Sequence, residues 1–204
     1  MILDIYLYLK NKNFFWFGQN LFYLATFLLP WAFPFSAFFY FISLLISIKY
    51  QGTNFFNDKW NIPLYFCSVL MIISSFNAYF LRSDIRLQDW DKSLAWISLF
   101  NWLPFFFIFK GFQIYLKDIS QRLLFSKFLI ASSFFVFLSC ILQYNFNIYG
   151  PFKYLFGLII WYQKPLNQLG GVSGLFNNPN YAGIWLASTL PFSYLLIKLN
   201  QNNK

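Results

Sequence analysis

Leu28-Leu29-Pro30-Trp31-Ala32-Phe33-Pro34-Phe35 decides the architecture of this chain, because it interrupts an apolar run that extends from Phe14 to Ile48. As one helix that run would be about 50 Å long at about 1.5 Å per residue, well beyond the roughly 30 Å of a bilayer's hydrocarbon core. Pro30 and Pro34 each lack a backbone donor and crowd the preceding turn, so the run is expected to break there and to cross twice. Working outward, the apolar runs Pro63 to Leu81, Ser93 to Phe109, Leu123 to Tyr144 and Tyr181 to Leu199 bring the total to about six crossings. Backbone in lipid must bond internally, so the expected fold class is all-α, a polytopic transmembrane helical bundle forming a single transmembrane domain over 1–204.

The composition agrees. With 59% hydrophobic residues, 10% charged residues and a mean hydropathy of +0.51, there is too little polar surface to clothe a soluble core. A net charge of +9 raises the question of nucleic acid, but the 15 Lys and Arg are scattered one or two per loop instead of clustering, and no nucleic-acid partner is expected. They read as topology signals. With the N-terminus cytoplasmic and a double first crossing, ten basic residues fall inside and five outside; a single first crossing gives seven and eight, against the positive-inside bias. The chain is therefore expected in a bacterial inner membrane, multi-pass, with the bilayer as its constant partner.

The chain has no His and no Glu, which removes the commonest catalytic base and metal ligand and leaves six aspartates. No metal, no cofactor and no catalytic residue are expected. Cys67 and Cys140 each lie inside an apolar run and read as small hydrophobes, not as a disulfide.

Two loops are expected on the external face. One holds Arg82-Ser83-Asp84-Ile85-Arg86, read either as a solvated connection or as a grip on an anionic lipid head through Arg82 and Arg86. The other runs from Asn145 to Asn180. Within it Tyr154 to Tyr162 is apolar but too short to span, and reads as a short interfacial or re-entrant helix or as a lid resting on the bundle. The same loop ends in Gly170-Gly171-Val172-Ser173-Gly174-Leu175-Phe176-Asn177-Asn178-Pro179-Asn180-Tyr181, a glycine-rich turn running into an apolar helix. Asn178-Pro179 reads as a helix start, with Asn as N-cap and Pro at the first helical position. A further reading lets the glycines admit a ligand and the helix-start amides hold a diphosphate.

The ordered run from Gly174 to Tyr181, continued through Trp185-Leu186 to Pro191-Phe192, resembles the start of the conserved region of the O-antigen ligase and polymerase family. The segments Asn101-Trp102-Leu103-Pro104-Phe105-Phe106, Gly111-Phe112-Gln113, Tyr149-Gly150-Pro151-Phe152 and Gly157 to Pro165 are similar to a cyanobacterial-type branch of it. The likeness covers most of the chain but only the N-terminal half of a typical member, with the conserved region beginning over 165–199. It implies metal-independent transfer or polymerisation of glycans carried on a polyprenyl diphosphate, at the external membrane face. The implied lipid-diphosphate or glycan contacts are Arg82, Arg86, Lys164, Gly174, Asn177, Asn178 and Asn180. A catalytic histidine belongs to the family's second half, so the chain is expected to be inactive alone and to need a C-terminal-half polypeptide. A non-enzymatic membrane subunit, or an accessory to transport of the inorganic-carbon type, is the alternative.

Overall fold

The computed structural model describes residues 2–55, 59–80, 93–166 and 170–202. Six α-helices account for most of them: α1 (Ile2–Leu28), α2 (Phe33–Gln51), α3 (Ile62–Phe80), α4 (Ser93–Phe112), α5 (Ile119–Phe146) and α6 (Pro179–Asn202). Two three-residue strands, β1 (Phe152–Tyr154) and β2 (Ile159–Trp161), form an antiparallel hairpin in which Phe152 faces Trp161 and Tyr154 faces Ile159. The fold is the expected all-α bundle, and the first apolar run breaks at its prolines: α1 stops at Leu28, the amides of Trp31 and Ala32 both close on the Leu28 carbonyl, and α2 begins at Phe33.

Phe33–Gln51, Ile62–Phe80, Ser93–Leu116, Ile119–Phe146 and Pro179–Gln201 are long and apolar enough to cross a membrane. The chain is a multi-pass membrane protein. α1 stands apart from these five because Gln19 and Asn20 interrupt its apolar half and Lys10 and Lys12 precede it. It runs antiparallel along α2. Among the described residues five helices, not six, have the length and apolarity of a crossing.

The described residues fall into two compact units, 1–46 with 115–204, and 47–114. In the first, α1 and α2 are joined by hydroxyls that donate across the interface: Ser36 Oγ to the Ala25 carbonyl at 2.7 Å, and Ser43 Oγ to the Gly18 carbonyl at 2.9 Å. Thr26 spends its own proton on the Phe22 carbonyl, so the 2.9 Å bond between Thr26 and Tyr40 is donated by the Tyr40 hydroxyl. Small residues permit this approach. A Cβ at Gly18 would stand 2.5 Å from Tyr115 Oη and 2.6 Å from Ile46 Cγ2, so any side chain there would force α1 off its neighbours. Lipid cannot drive helices together by a hydrophobic effect, and close packing with interhelical hydrogen bonds takes that role.

α5 runs in the same direction as α1, with Phe22 stacked on Phe125 and Phe27 and Trp31 both against Phe135. α6 returns beside α5, Trp185 Nε1 donating to Ser133 Oγ at 3.0 Å and Phe192 meeting Phe125. The α1–α2 turn, the end of α5, the hairpin and the start of α6 thus share one end of this unit.

In the second unit α3 and α4 are antiparallel. Ser75 Oγ donates to the Ala95 carbonyl near one end, and Asn61 and Gln113 exchange amide hydrogen bonds at the other. No residue of α3 is buried, and its exposed surface is mostly apolar, with Phe66, Val69, Ile73 and Phe76 beside the polar Ser74 and Asn77.

The stretch Tyr154 to Tyr162 is not the helix expected from its length and hydropathy. It is the β1–β2 hairpin, closed over Leu155–Gly157 by a single 3-10 turn. Leu155 and Phe156 take φ of 50° and 56° and Gly157 takes 89°, which reverses the chain where a helix would have continued. The β-branched pair Ile159-Ile160 then favours the extended strand.

Candidate functional site

The glycine-rich turn is built onto the last turns of α5 by one buried amide. Gln143 Nε2 donates to the Lys164 carbonyl at 2.5 Å and to Ser173 Oγ at 3.2 Å, while its Oε1 accepts from the Gly174 amide at 2.8 Å. Gln143 and Ser173 are both fully buried. Ser173 Oγ also accepts from the Lys164 amide at 3.1 Å, so a single side chain and one hydroxyl clamp two separate strands of the loop. A second amide supports the first: Gln163 Nε2 donates to the Ser139 carbonyl one turn earlier on α5, at 3.2 Å, and the Gln163 carbonyl accepts from Gly150 at 2.9 Å. Backbone pairing between Tyr162 and the Leu175 carbonyl completes the knot.

Two glycines are required by space. A Cβ on Gly150 would lie 2.7 Å from the Trp161 carbonyl oxygen and 2.8 Å from that of Tyr162. Gly174 sits at φ +56° with its Cα face turned to α5, and a Cβ there would come within 2.9 Å of Cys140 Sγ. The close approach that the turn permits at Gly174 is to the protein's own helix. Gly170, at φ +66°, has open space around it and serves the reversal of the chain alone.

The helix start is formed as the sequence reads. Pro179 opens α6, and Asn178 Oδ1 accepts from the Asn180 amide at 2.9 Å. That capping bond occupies one of the amides an anion would otherwise use. Asn177 and Asn180 are exposed beside it, and Phe176 leans on Trp185, 6.4 Å between ring centroids. Lys164 is half-buried, its main chain locked by Gln143 and Ser173.

Of the residues singled out in the sequence, Lys164, Gly174, Asn177, Asn178 and Asn180 come together at the head of α5 and α6. Arg82 and Arg86 lie outside the described residues. Sequence reading passed over Gln143 and Gln163, which organise the loop. For Gln143 the signal was present, since an amide inside an apolar run that crosses a bilayer has to find partners. Among the described residues no group of three or more His, Cys, Asp or Glu is placed to hold a metal.

This end of the unit holds Lys164, the exposed side-chain amides of Asn177 and Asn180 and a capped helix start. No model of a known protein family, no curated protein and no solved structure matches this chain.

Proposed function

We propose that this chain is an O-antigen ligase-like membrane protein, taking part in transfer or polymerisation of lipid-linked glycans at the membrane face away from the cytosol. The observation that carries the reading is the run Gly174 to Tyr181, whose loop is held rigidly by Gln143 at the head of two membrane helices, with Lys164 beside it. A polyprenyl-diphosphate glycan needs a cation for its diphosphate and polar groups for its sugars, next to a lipid-facing flank for its tail. Lys164 supplies a point charge, without the two-pronged bonding that an arginine gives to phosphate. Asn177 and Asn180 supply the amides, and the exposed face of α6, including Tyr181 and Ile184, supplies the flank.

The test is photocrosslinking of the purified chain in vesicles with a benzophenone-bearing polyprenyl diphosphate. Crosslinks are expected in peptides over 164–184, competed by unlabelled polyprenyl diphosphate and weakened by Lys164→Ala. Equal competition by the polyprenyl alcohol would refute diphosphate recognition. Sidedness is tested with Cys67 and Cys140 replaced and Asn177→Cys introduced, because Asn177 is exposed whereas Ser173 is buried. Labelling of intact cells by a membrane-impermeant thiol reagent is expected, and labelling only after lysis would reverse the assigned topology.

A further inference from the structure

The loop that closes the β1–β2 hairpin is made of the wrong residues for a turn in water. Four-residue connections usually draw on Gly, Asn, Asp and Ser, whose side chains tolerate left-handed backbone or bond to it. Here the connection is Leu155-Phe156-Gly157-Leu158, and its first two residues occupy the left-handed region, where a Cβ crowds the following carbonyl. Glycine at either position would remove that crowding, and asparagine would offset it with a local hydrogen bond. Nothing among the described residues rewards the apolar choice: Leu155 and Leu158 are more than half exposed and Phe156 is completely so. Tyr154 and Tyr162 at the hairpin's flanks are exposed as well, and no polar side chain other than the Trp161 indole lies between them.

Part of the hairpin's polar backbone is paired within the protein. Its strands are paired along their length, the Leu158 amide closes on the Leu155 carbonyl, and Trp161 Nε1 donates to the Trp31 carbonyl at 2.8 Å. That last bond ties the hairpin to the α1–α2 turn, immediately before Phe33 and Phe35, where the exposed apolar surface of α2 begins. The base of the hairpin is thus fixed beside the start of a helix with exposed apolar surface, and the tip projects from the same end of the bundle. Lys153, exposed at the base of the hairpin, has the reach and charge to meet headgroup phosphates.

We infer that the Leu155–Leu158 tip is a membrane wedge, inserted into the acyl boundary of the leaflet at this end of the bundle, with Lys153 at headgroup level. The apolar environment then supplies the gain that offsets a strained turn, and the hairpin anchors the loop carrying Gln163 and Lys164 at a set height over the bilayer. The inference rests on the multi-pass embedding of the chain and not on glycan recognition.

The experiment uses the full chain, with Cys67→Ser and Cys140→Ala, carrying an environment-sensitive fluorophore at Phe156→Cys in phosphatidylcholine–phosphatidylglycerol vesicles. Asn177→Cys provides the reference in the polar part of the loop, and Leu158→Cys provides a second tip position. Nitroxide lipids labelled high on the acyl chain are expected to quench both tip positions several-fold more than the reference, and aqueous iodide several-fold less. Iodide quenching at the tip equal to that at Asn177 would place the tip in water and overturn the proposal. Protection from both quenchers would place it against protein, a second copy or another chain, and overturn it equally. No glycan or polyprenyl lipid is present, so the outcome bears on the wedge alone.

Discussion

Replacing Gln143 by methionine, which keeps length and rough volume while deleting all three hydrogen bonds, should unfasten the glycine-rich turn from α5 without unfolding the bundle. Gln143 is fully buried, so its partners have no water waiting. The Gly174 amide, also buried, loses its acceptor, which costs about 1–3 kcal/mol. The Lys164 carbonyl loses a donor but is partly open to solvent, so about 1 kcal/mol is assigned there. Ser173 Oγ keeps the Lys164 amide and contributes little to the loss. The sum is about 3 kcal/mol, or an increase of roughly 100-fold in the population of the open loop. Hydrogen–deuterium exchange of the chain in lipid nanodiscs reads this directly, because exchange of the Gly174 amide requires that opening. Peptides covering 170–176 should exchange about 100-fold faster, while those from α1 and α2 stay unchanged, with Asn145→Met as an exposed control on the same helix. Unchanged protection at Gly174 in Gln143→Met would refute the reasoning, and would assign the loop's order to the hairpin and the Tyr162–Leu175 pairing instead.

Other substitutions test packing and capping. Gly18→Ala drives a methyl into Ile46 and Tyr115 and should destabilise by about 1–3 kcal/mol in thermal unfolding, whereas Gly183→Ala, with nothing within 4 Å, should be neutral or stabilising by up to about 1 kcal/mol. Gly174→Ala combines a positive φ with contacts on Cys140 Sγ at 2.9 Å and Ser139 Oγ at 3.1 Å, so a double-mutant cycle with Cys140→Ala should recover the Cys140 share of its cost and leave at least about 1 kcal/mol for the backbone. Asn178→Ala should cost about 1 kcal/mol of local stability, seen as faster exchange of the Asn180 amide, and Asn178→Asp should restore it.

The helical reading of the chain survived in the structure for the apolar runs long enough to cross a bilayer. The break between α1 and α2 follows from two prolines inside a run too long for one crossing, and the opening of α6 follows from an asparagine placed before a proline. Both are local effects of backbone chemistry, so they are visible in a few consecutive residues. The Tyr154 to Tyr162 segment was misread for the converse reason. Hydropathy reports the environment a segment seeks and not its backbone path, and two left-handed residues were enough to turn an apolar run into a hairpin.

Membership of the membrane, the helical class and the position of the first reversal were determined by the sequence itself, since each depends only on transfer of side chains and peptide groups into hydrocarbon. Which polar groups would meet was decided by tertiary structure. Gln143 and Ser173 are separated by 30 positions, Trp31 and Trp161 by 130, and no local pattern links either pair. They meet because α1 and α5 run the same way and α6 returns beside α5. That packing brings a buried amide, a hydroxyl and a left-handed glycine to one end of the bundle, where each satisfies the others out of reach of water.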